Sequence, residues 1–236
     1  MGAILRQRRC WPVARFRDDL GKMNRFHRWY CQTSHWRHTL ETTVMPWALA
    51  GVELDDDVLE IGPGPGLTTD WLRRRAKRVT CIEMDLGLAG SLQSRVADTN
   101  IDVRCADATA MPFADRTFMS VVCCTVLHHV PSRELQDRVF AEAFRVLKPG
   151  GVFAGTDSLG SWLMRIIHLG DTMVLVDPAT LPSRLESAGF RNVRVEVGAG
   201  RFRFLARRPI GSHIRDNPPS ARSTADQLSL EPHTRG

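Results

Sequence analysis

The amino-acid sequence predicts an α/β fold in which helices cover both faces of a mostly parallel β-sheet, giving a three-layer sandwich. From residue 55 onward, short apolar runs alternate with amphipathic segments, which is the pattern of parallel strands joined by helices. The first apolar run, 58–61, ends in a loop with three glycines in five residues, 62–66, and a helix follows. Bare backbone at such a turn is typical of the floor of a nucleotide-binding site.

Length and composition indicate one globular domain with tails. The 236 residues are 43% apolar and 25% charged, which suits one sizeable α/β domain and leaves too little chain for two. No run reaches the roughly 18 consecutive apolar residues of a membrane-spanning helix. Residues 1–9 also lack the apolar stretch and cleavage site of a secretory signal. We therefore expect a cytoplasmic protein without a transmembrane segment.

The cysteines and the basic charge have simple explanations. The six cysteines form neither a Cys-x-x-Cys pair nor the spacing of a zinc site, so we expect small buried hydrophobic side chains.

The arginines behind the net charge of +6 concentrate in the two ends and in residues 73–78. Solvated faces and disordered tails explain this distribution better than a nucleic-acid surface, so a nucleic-acid partner is not expected.

The first fifty residues divide into two segments. Residues 1–22 are basic and show no clear periodicity, which predicts a disordered arm. Aromatic and aliphatic residues then recur at helical intervals over 23–50, so we expect one or two helices that form a lid across the top of the core. Met23 is a second candidate for the start of translation.

Residues 51–208 carry the elements of the predicted domain, and 209–236, without periodicity, are predicted to be a disordered tail. The predicted parallel strands are 58–61, 79–82, 101–105, 119–126 and 152–156. Helices are predicted to begin at residue 67 and near residue 88, and to span 131–147, 162–169 and 177–189. The last two strands, 193–197 and 202–206, flank a three-residue loop with two glycines, which predicts an antiparallel hairpin at the sheet edge.

The first four strands each end in a glycine-rich or polar position, and in a parallel sheet those ends share one edge. The positions are the Gly62 loop, Glu83, Asp107 and residues 125–129. Ligands bind beyond the carboxyl ends of such strands, where the strand order reverses. Glu83 lies about 20 residues after the loop, where an acid accepts the ribose hydroxyls of a nucleoside. Asp107 is placed to accept a hydrogen bond from an exocyclic amine.

The glycine loop does not fit two common phosphate-binding patterns. A dinucleotide-binding turn needs Gly-x-Gly-x-x-Gly, but here the third glycine is Gly66 and Leu67 follows it. Pro63 and Pro65 also remove two backbone N–H donors from a loop that would have to hold a pyrophosphate. No Gly-Lys-Ser/Thr of a P-loop follows the glycines either. A ligand without phosphates is therefore favoured.

Four segments of the chain, taken together, resemble the class I S-adenosylmethionine-dependent methyltransferases, within the small-molecule and ubiquinone/menaquinone-methyltransferase-like group. They are VLEIGPGPG, CIEMD, CADATAMPF and VLKPGG. The resemblance extends over residues 55–206. It implies a Rossmann-like fold with a seven-stranded sheet, S-adenosyl-L-methionine as cofactor and S-adenosyl-L-homocysteine as product. One departure is Phe118-Met119, where an acid commonly follows the phenylalanine.

The resemblance also implies cofactor-binding roles for individual residues. The methionine part of the cofactor would be held by Glu60, Gly62, Gly64 and Gly66. The adenosine part would be bound by Glu83 at the ribose hydroxyls, Met84 against the adenine ring, Asp107 at the adenine amine and Ala108 through its backbone N–H. The side of methyl transfer would be lined by residues around Thr125.

Methyl transfer from a sulfonium is an in-line displacement, so much of the rate comes from positioning, and only a weakly acidic acceptor needs a base. His128, with His129 beside it, is the nearest candidate for a catalytic base, because neutral imidazole accepts a proton near pH 7. Alternatively, one histidine orders the following loop and the other points into solvent. Tyr30, His27 and Asp157 are further candidates.

The aromatic and basic segment 23–50 predicts a small hydrophobic, lipid-like or anionic acceptor. The motif Asn/Asp-Pro-Pro-Tyr/Phe of adenine-N6 and glutamine-N methyltransferases does not follow strand four, and a Pro-Cys nucleophile is also missing. Nothing marks a Mg²⁺ site of the catechol type, so no metal is expected. Two alternatives remain: an RNA methyltransferase whose arginine-rich ends bind the RNA, and a non-catalytic module that holds the nucleoside as a structural ligand. The sequence leaves the oligomeric state open.

Overall fold

The structure, a computed structural model, describes residues 29–31, 33–160, 166 and 173–211. Three predictions lie wholly or mostly outside these residues: the basic arm 1–22, the helix 162–169 and the tail 209–236. Within the described ranges, no helix combines the length and the apolar character needed to cross a membrane.

Seven strands form one mixed sheet, which confirms the predicted fold class. They are β1 (Asp57–Ile61), β2 (Arg78–Glu83), β3 (Ile101–Cys105), β4 (Phe118–Cys124), β5 (Leu147–Ser158), β6 (Arg191–Gly198) and β7 (Arg201–Arg207). The order across the sheet is β3-β2-β1-β4-β5-β7-β6. Strands β1 to β5 pair in parallel, whereas β7 pairs antiparallel with both β5 and β6. The C-terminal hairpin therefore forms as predicted, with β6 at the sheet edge.

The bounds of two strands differ from the sequence prediction. β4 ends at Cys124 rather than at residue 126, because Thr125 has a left-handed backbone with φ of 57° that ends the extended chain. β5 begins already at Leu147 and continues to Ser158. It therefore includes residues 148–151, which the sequence predicts only as the stop of the preceding helix.

Six α-helices have both ends within the described residues. They are α1 (Ser34–Thr39), α2 (Met45–Ala48), α3 (Leu67–Leu72), α4 (Leu86–Arg95), α5 (Arg133–Val146) and α6 (Leu181–Ser187). A π-helical turn, Leu40–Val44, joins α1 to α2, so residues 34–48 form one continuous helical segment. α6 begins later than the predicted residue 177, because Asp177 first accepts the N–H groups of Ala179 and Thr180 in a separate turn.

A hydrophobic core lies on each face of the sheet, as a three-layer sandwich requires. Helices α5 and α6 cover one face, where the rings of Phe153 and Phe190 stack with centroids 5.6 Å apart. Helices α1 to α4 cover the other face, where Leu72 and Met45 are fully buried. Helices thus cover both faces of the sheet, and only its edges and the ends of its strands are open to a ligand.

The cysteines follow the prediction in part. Cys81, Cys123 and Cys124 are buried free thiols. Burial raises the pKa of Cys124 to about 12, so this thiol stays protonated at neutral pH and behaves as a small apolar side chain. Cys105 departs from the prediction, because it is disulfide-bonded.

A buried carboxylate joins β1 to the helix after the glycine loop. Glu60 is 2% exposed and accepts hydrogen bonds from the hydroxyls of Thr68 and Thr69, the latter at 2.6 Å. The thiol of Cys81 on β2 donates to the same carboxylate at 3.3 Å. Burial raises the pKa of Glu60, and these three hydrogen bonds only partly oppose that shift. The side chain therefore lies among the strands and α3, beneath the loop.

We predict that Glu60 makes folding less favourable as the pH rises above the ordinary glutamate range. Above a pH of about 4.5, the ordinary pKa, the unfolded chain releases the Glu60 proton while the folded chain keeps it. The unfolding free energy should then fall with increasing pH until the raised pKa of the folded state is passed. Glu60→Gln should remove this part of the pH dependence.

Urea unfolding at a series of pH values, from about 4.5 to about 8, measures the effect as a difference between the two proteins. Glu53→Gln is the matched control, because Glu53 is exposed and precedes β1. It should leave the pH dependence of the wild type unchanged. Parallel curves for the wild type and Glu60→Gln would contradict the prediction.

Candidate active site

A cavity of about 380 Å³ opens at the carboxyl ends of β1 to β4, next to the point where the strand order reverses between β1 and β4. This volume lies in the usual range of small-ligand pockets, roughly 300–1,000 Å³. Most of the residues predicted for the site line the cavity. They are Gly62, Gly64, Glu83, Met84, Asp107, Ala108, Thr125 and His128. Glu60 and Gly66 are not among the lining residues and lie behind the wall.

The three loop glycines meet three different constraints. A Cβ atom at Gly62 would lie 2.6 Å from Cγ2 of Val126, and one at Gly66 would lie 2.3 Å from Nη2 of Arg95. Neither position has room for a side chain. At Gly64 a Cβ atom would meet no atom within 4 Å, so the backbone itself forms this part of the cavity wall. All three have positive φ angles, which residues other than glycine rarely adopt.

Arg95 on α4 anchors the second half of the loop. Its Nη1 donates to both carboxylate oxygens of Asp70, at 2.8 and 3.0 Å. Its Nη2 donates to the carbonyls of Pro65 and Gly66, at 3.2 and 3.1 Å. Because Asp70 is a buried residue of α3, this one guanidinium connects the loop to both neighbouring helices.

Glu83 at the end of β2 holds the first half of the loop. One carboxylate oxygen accepts the backbone N–H of Gly64 at 3.0 Å, and the other accepts that of Asp85 at 2.9 Å. Burial raises the pKa of Glu83, and hydrogen bonds from the backbone N–H groups of Asp85, Gly64 and Met84 partly oppose the shift. A carboxylate has about four acceptor positions, so this one keeps acceptor capacity for a ligand hydroxyl.

Met84, Asp107 and Ala108 form the end of the cavity beyond β2 and β3. Met84 is 36% exposed and presents an apolar surface. Asp107 accepts the N–H of Thr109 at 2.7 Å through Oδ1, which fixes the orientation of its carboxylate. An apolar side chain and an oriented acceptor at one end of a cavity suit a planar ring that carries an amino group.

Thr125 lies at the turn beyond β4, between the two ends of the cavity. Its backbone N–H donates to Thr156 of β5 at 2.8 Å, and its hydroxyl donates to the carbonyl of Cys124 at 2.7 Å. With these bonds and its left-handed backbone, Thr125 redirects the chain toward the 3₁₀ turn Leu127–His129. The turn carries His128 into the cavity wall.

His128 and Asp157 form a buried pair. Nδ1 of His128 is hydrogen-bonded to Oδ1 of Asp157, and the backbone N–H of His128 donates to Oδ2 at 3.1 Å. The backbone N–H of Ser158 donates to the same carboxylate at 2.6 Å. Asp157 is 1% exposed, so its charge is balanced by these three donors. Sequence reasoning treats Asp157 only as a separate candidate, because nothing in the sequence shows that β5 places it beside His128.

Two buried polar side chains support the His128 turn from behind. Nε2 of Gln136 on α5 donates to the carbonyls of Leu127 and Val174, at 3.1 and 2.8 Å. Arg184 on α6 donates to Oε1 of Gln136 at 3.0 Å and to Asp137 at 2.7 Å. Sequence reasoning misses both residues, because they occupy polar positions of helices whose apolar spacing carries the prediction.

Residues from three further parts of the chain line the cavity. Tyr30, Trp36 and Leu40 line it from the N-terminal segment, and Ser158 and Arg201 line it from the ends of β5 and β7. The spacing of aromatic residues predicts a helical lid over 23–50 but does not identify the lining residues. Arg201 has no sequence signal of its own, because it is one of several arginines along the C-terminal hairpin.

Comparisons with known proteins concern the same part of the chain. A protein-family model described as a methyltransferase domain matches residues 59–155. The ubiquinone biosynthesis O-methyltransferase of Pseudomonas entomophila is 29% identical over 137 residues, which are 55% of this chain and 58% of that protein. The ubiquinone/menaquinone biosynthesis C-methyltransferase of Desulfotalea psychrophila is 34% identical over 106 residues, which are 44% of this chain and 42% of that protein. The chain thus spans about half the length of these relatives.

A solved structure shares the fold. The phosphoethanolamine N-methyltransferase 2 of Haemonchus contortus, in complex with S-adenosyl-L-methionine, matches with a TM-score of 0.61 at 15% identity, over 74% of this chain and 53% of that chain. The family model matches the stretch from β1 into β5, whose strand ends surround the cavity. Over residues 59–155 the chain is therefore similar to methyltransferases, and its fold is the one found in the S-adenosyl-L-methionine-bound structure.

Proposed function

We propose that this protein transfers the methyl group of S-adenosyl-L-methionine to a hydroxyl oxygen of a small hydrophobic acceptor, with S-adenosyl-L-homocysteine as the other product. One observation carries the proposal: the glycine loop, Glu83, Asp107 and the His128–Asp157 pair meet at one cavity. The two relatives named above act, by their names, in quinone biosynthesis, which supports an acceptor of small size and hydrophobic character.

The half of the cavity over β1 to β3 fits the cofactor. Glu83 would accept the ribose hydroxyls, Met84 would pack on the adenine ring, and Asp107 would accept from the adenine amine beside the N–H of Ala108. The bare backbone at Gly62 and Gly64 would lie under the methionine chain. Glu60 and Gly66 would act indirectly, because they hold the loop in place. When bound, the cofactor supplies a methyl group activated by a positively charged sulfur.

The acceptor half would extend from Thr125 and His128 to the N-terminal segment. Tyr30, Trp36 and Leu40 give this half an apolar wall, and residues 23–50 would act as its lid. Such a wall suits a small molecule better than an RNA strand. The ends that an RNA methyltransferase would use, 1–21 and 209–236, lie almost entirely outside the described residues. A non-catalytic nucleoside-binding module would not need an oriented His–Asp pair at this position.

His128 would act as the general base. Because Asp157 accepts from Nδ1, the neutral imidazole carries its basic lone pair on Nε2. The proton of the acceptor hydroxyl would move to Nε2 as the oxygen attacks the methyl carbon. Asp157 would stabilise the imidazolium that forms, and the Gln136 amide would keep the turn in position.

Glu83→Ala is expected to weaken the binding of S-adenosyl-L-homocysteine at least about tenfold, because it removes charge-assisted hydrogen bonds to the ribose and the anchor of Gly64. Calorimetry with S-adenosyl-L-methionine and S-adenosyl-L-homocysteine measures the change. Glu53→Ala, at an exposed position before β1, should bind like the wild type. Unchanged affinity in Glu83→Ala would show that the ribose assignment is wrong. Absence of binding at millimolar ligand would overturn the proposed function.

His128→Ala and Asp157→Asn are expected to lower kcat about 10²- to 10⁴-fold while the affinity for S-adenosyl-L-homocysteine changes little, because the pair acts on the acceptor proton. The measurement is release of S-adenosyl-L-homocysteine with a panel of phenols of graded hydrophobicity. His38→Ala, at an exposed position of α1, is the matched control. An unchanged kcat in His128→Ala would show that positioning alone drives the transfer.

A further inference from the structure

Arg201 occupies a place in the cavity wall that the mechanism above leaves without a role. It is the first residue of β7, directly after the hairpin turn, and it pairs with Ser158 in the register of β5 and β7. Arg201 lines the same cavity as His128 and is close enough to Asp157 to interact with it electrostatically. It therefore belongs to the acceptor half of the cavity.

Among the residues that the structure describes, no carboxylate forms an ion pair with Arg201. To the residues that the structure describes, its guanidinium makes no hydrogen bond and no ion pair, and it lies 5.8 Å from the ring centroid of Trp36. Arg203, two residues along the same strand, instead pairs with Glu196 at 2.6 Å. Within the described part of the chain, the N–H donors of Arg201 are therefore unused, although a guanidinium can donate about five hydrogen bonds.

The surroundings disfavour an unpaired cation at this position. Arg201 is half-buried, and loss of solvent lowers its pKa, while nearby Tyr30 and Asp157 oppose the shift only in part. The carboxylate of Asp157 is already committed to His128 and to the N–H of Ser158. A bound anion would satisfy the guanidinium without disturbing that pair.

We propose that Arg201 binds an oxyanion group of the acceptor, a carboxylate or a phosphate, and so selects acidic acceptors over neutral ones. A planar guanidinium donates two parallel hydrogen bonds to either group. The ring of Trp36 would flank the ion pair and keep water away from it. This inference rests on the proposed function, and it adds that the acceptor carries an anion near the hydroxyl that His128 deprotonates.

Calorimetric titration of protein saturated with S-adenosyl-L-homocysteine tests the inference with three probes: 4-hydroxybenzoate, phenyl phosphate and the neutral 4-hydroxybenzamide. The wild type should bind at least one of the two anions about tenfold more tightly than the amide. The anion that binds more tightly shows whether Arg201 prefers a carboxylate or a phosphate. In Arg201→Gln this preference should fall to about one. Arg207→Gln removes the same charge from an exposed position of the same strand and should keep the preference.

Three outcomes would overturn the inference: equal binding of anions and amide by the wild type, an unchanged preference in Arg201→Gln, or no binding of either anion at millimolar concentration. A tenfold or greater loss of S-adenosyl-L-homocysteine affinity in Arg201→Gln would also overturn it, because Arg201 would then bind the cofactor carboxylate. Arg201→Lys keeps the charge without the planar fork. Arg201→Lys should therefore retain part of the preference for anions over the amide. If Arg201→Gln does not fold, this partial loss tests the role of Arg201, and an unchanged preference in Arg201→Lys would contradict it.

The failure of this inference is distinguishable from the failure of the proposed function. Binding of S-adenosyl-L-homocysteine to the wild type is measured first and without any probe. If it is absent, the methyltransferase proposal fails, and the three probes are titrated into the protein alone. Their order of affinity then decides whether Arg201 selects oxyanions independently of the cofactor.

Discussion

The turn from β1 into α3 is confined on both sides, and the shape of the cavity depends on this confinement. Val126 closes on Gly62 from the β4 side, while α4 closes on Gly66 through Leu92 and Arg95. The chain can pass between them only without side chains at these two positions. Carboxylates then hold the turn from three directions, with Glu60 beneath it, Glu83 at its first half and Asp70 acting through Arg95 at its second.

Two acids with raised pKa values, Glu60 and Glu83, lie at the same end of the sheet and face different groups. Glu60 directs its carboxylate to hydroxyl and thiol donors inside the protein, whereas Glu83 lines the cavity and accepts backbone N–H groups from two segments. The first acid stabilises the junction between strand and helix. The second connects that junction to the surface that the ribose would contact, so the binding of a ligand and the order of the loop are coupled through one side chain.

The sheet and most of the cavity wall could be predicted from the sequence, because both follow from local patterns. Apolar runs, the glycine turn and polar residues at strand ends are each visible within a few positions. The end of β4 could not be predicted, because it depends on the left-handed backbone of Thr125. The partner of His128 could not be predicted either, because Asp157 lies 29 residues away and reaches it only through the pairing of β5 with β4. The buried position of Glu60, behind the cavity wall, could not be predicted either, because it depends on Thr68 and Thr69 turning their hydroxyls inward.

The direction of β7 has a consequence for how this fold can change its substrate. A parallel strand beside β5 would present its carboxyl end at the cavity, but the antiparallel β7 presents its first residue, just after the hairpin turn. Residues at this corner make no contact with the glycine loop or with Glu83 in the described hydrogen-bond network. Side chains there can therefore be exchanged in evolution or by engineering without altering the half of the cavity over β1 to β3. The start of β7 therefore forms a part of the cavity wall that can vary while the part over β1 to β3 stays the same.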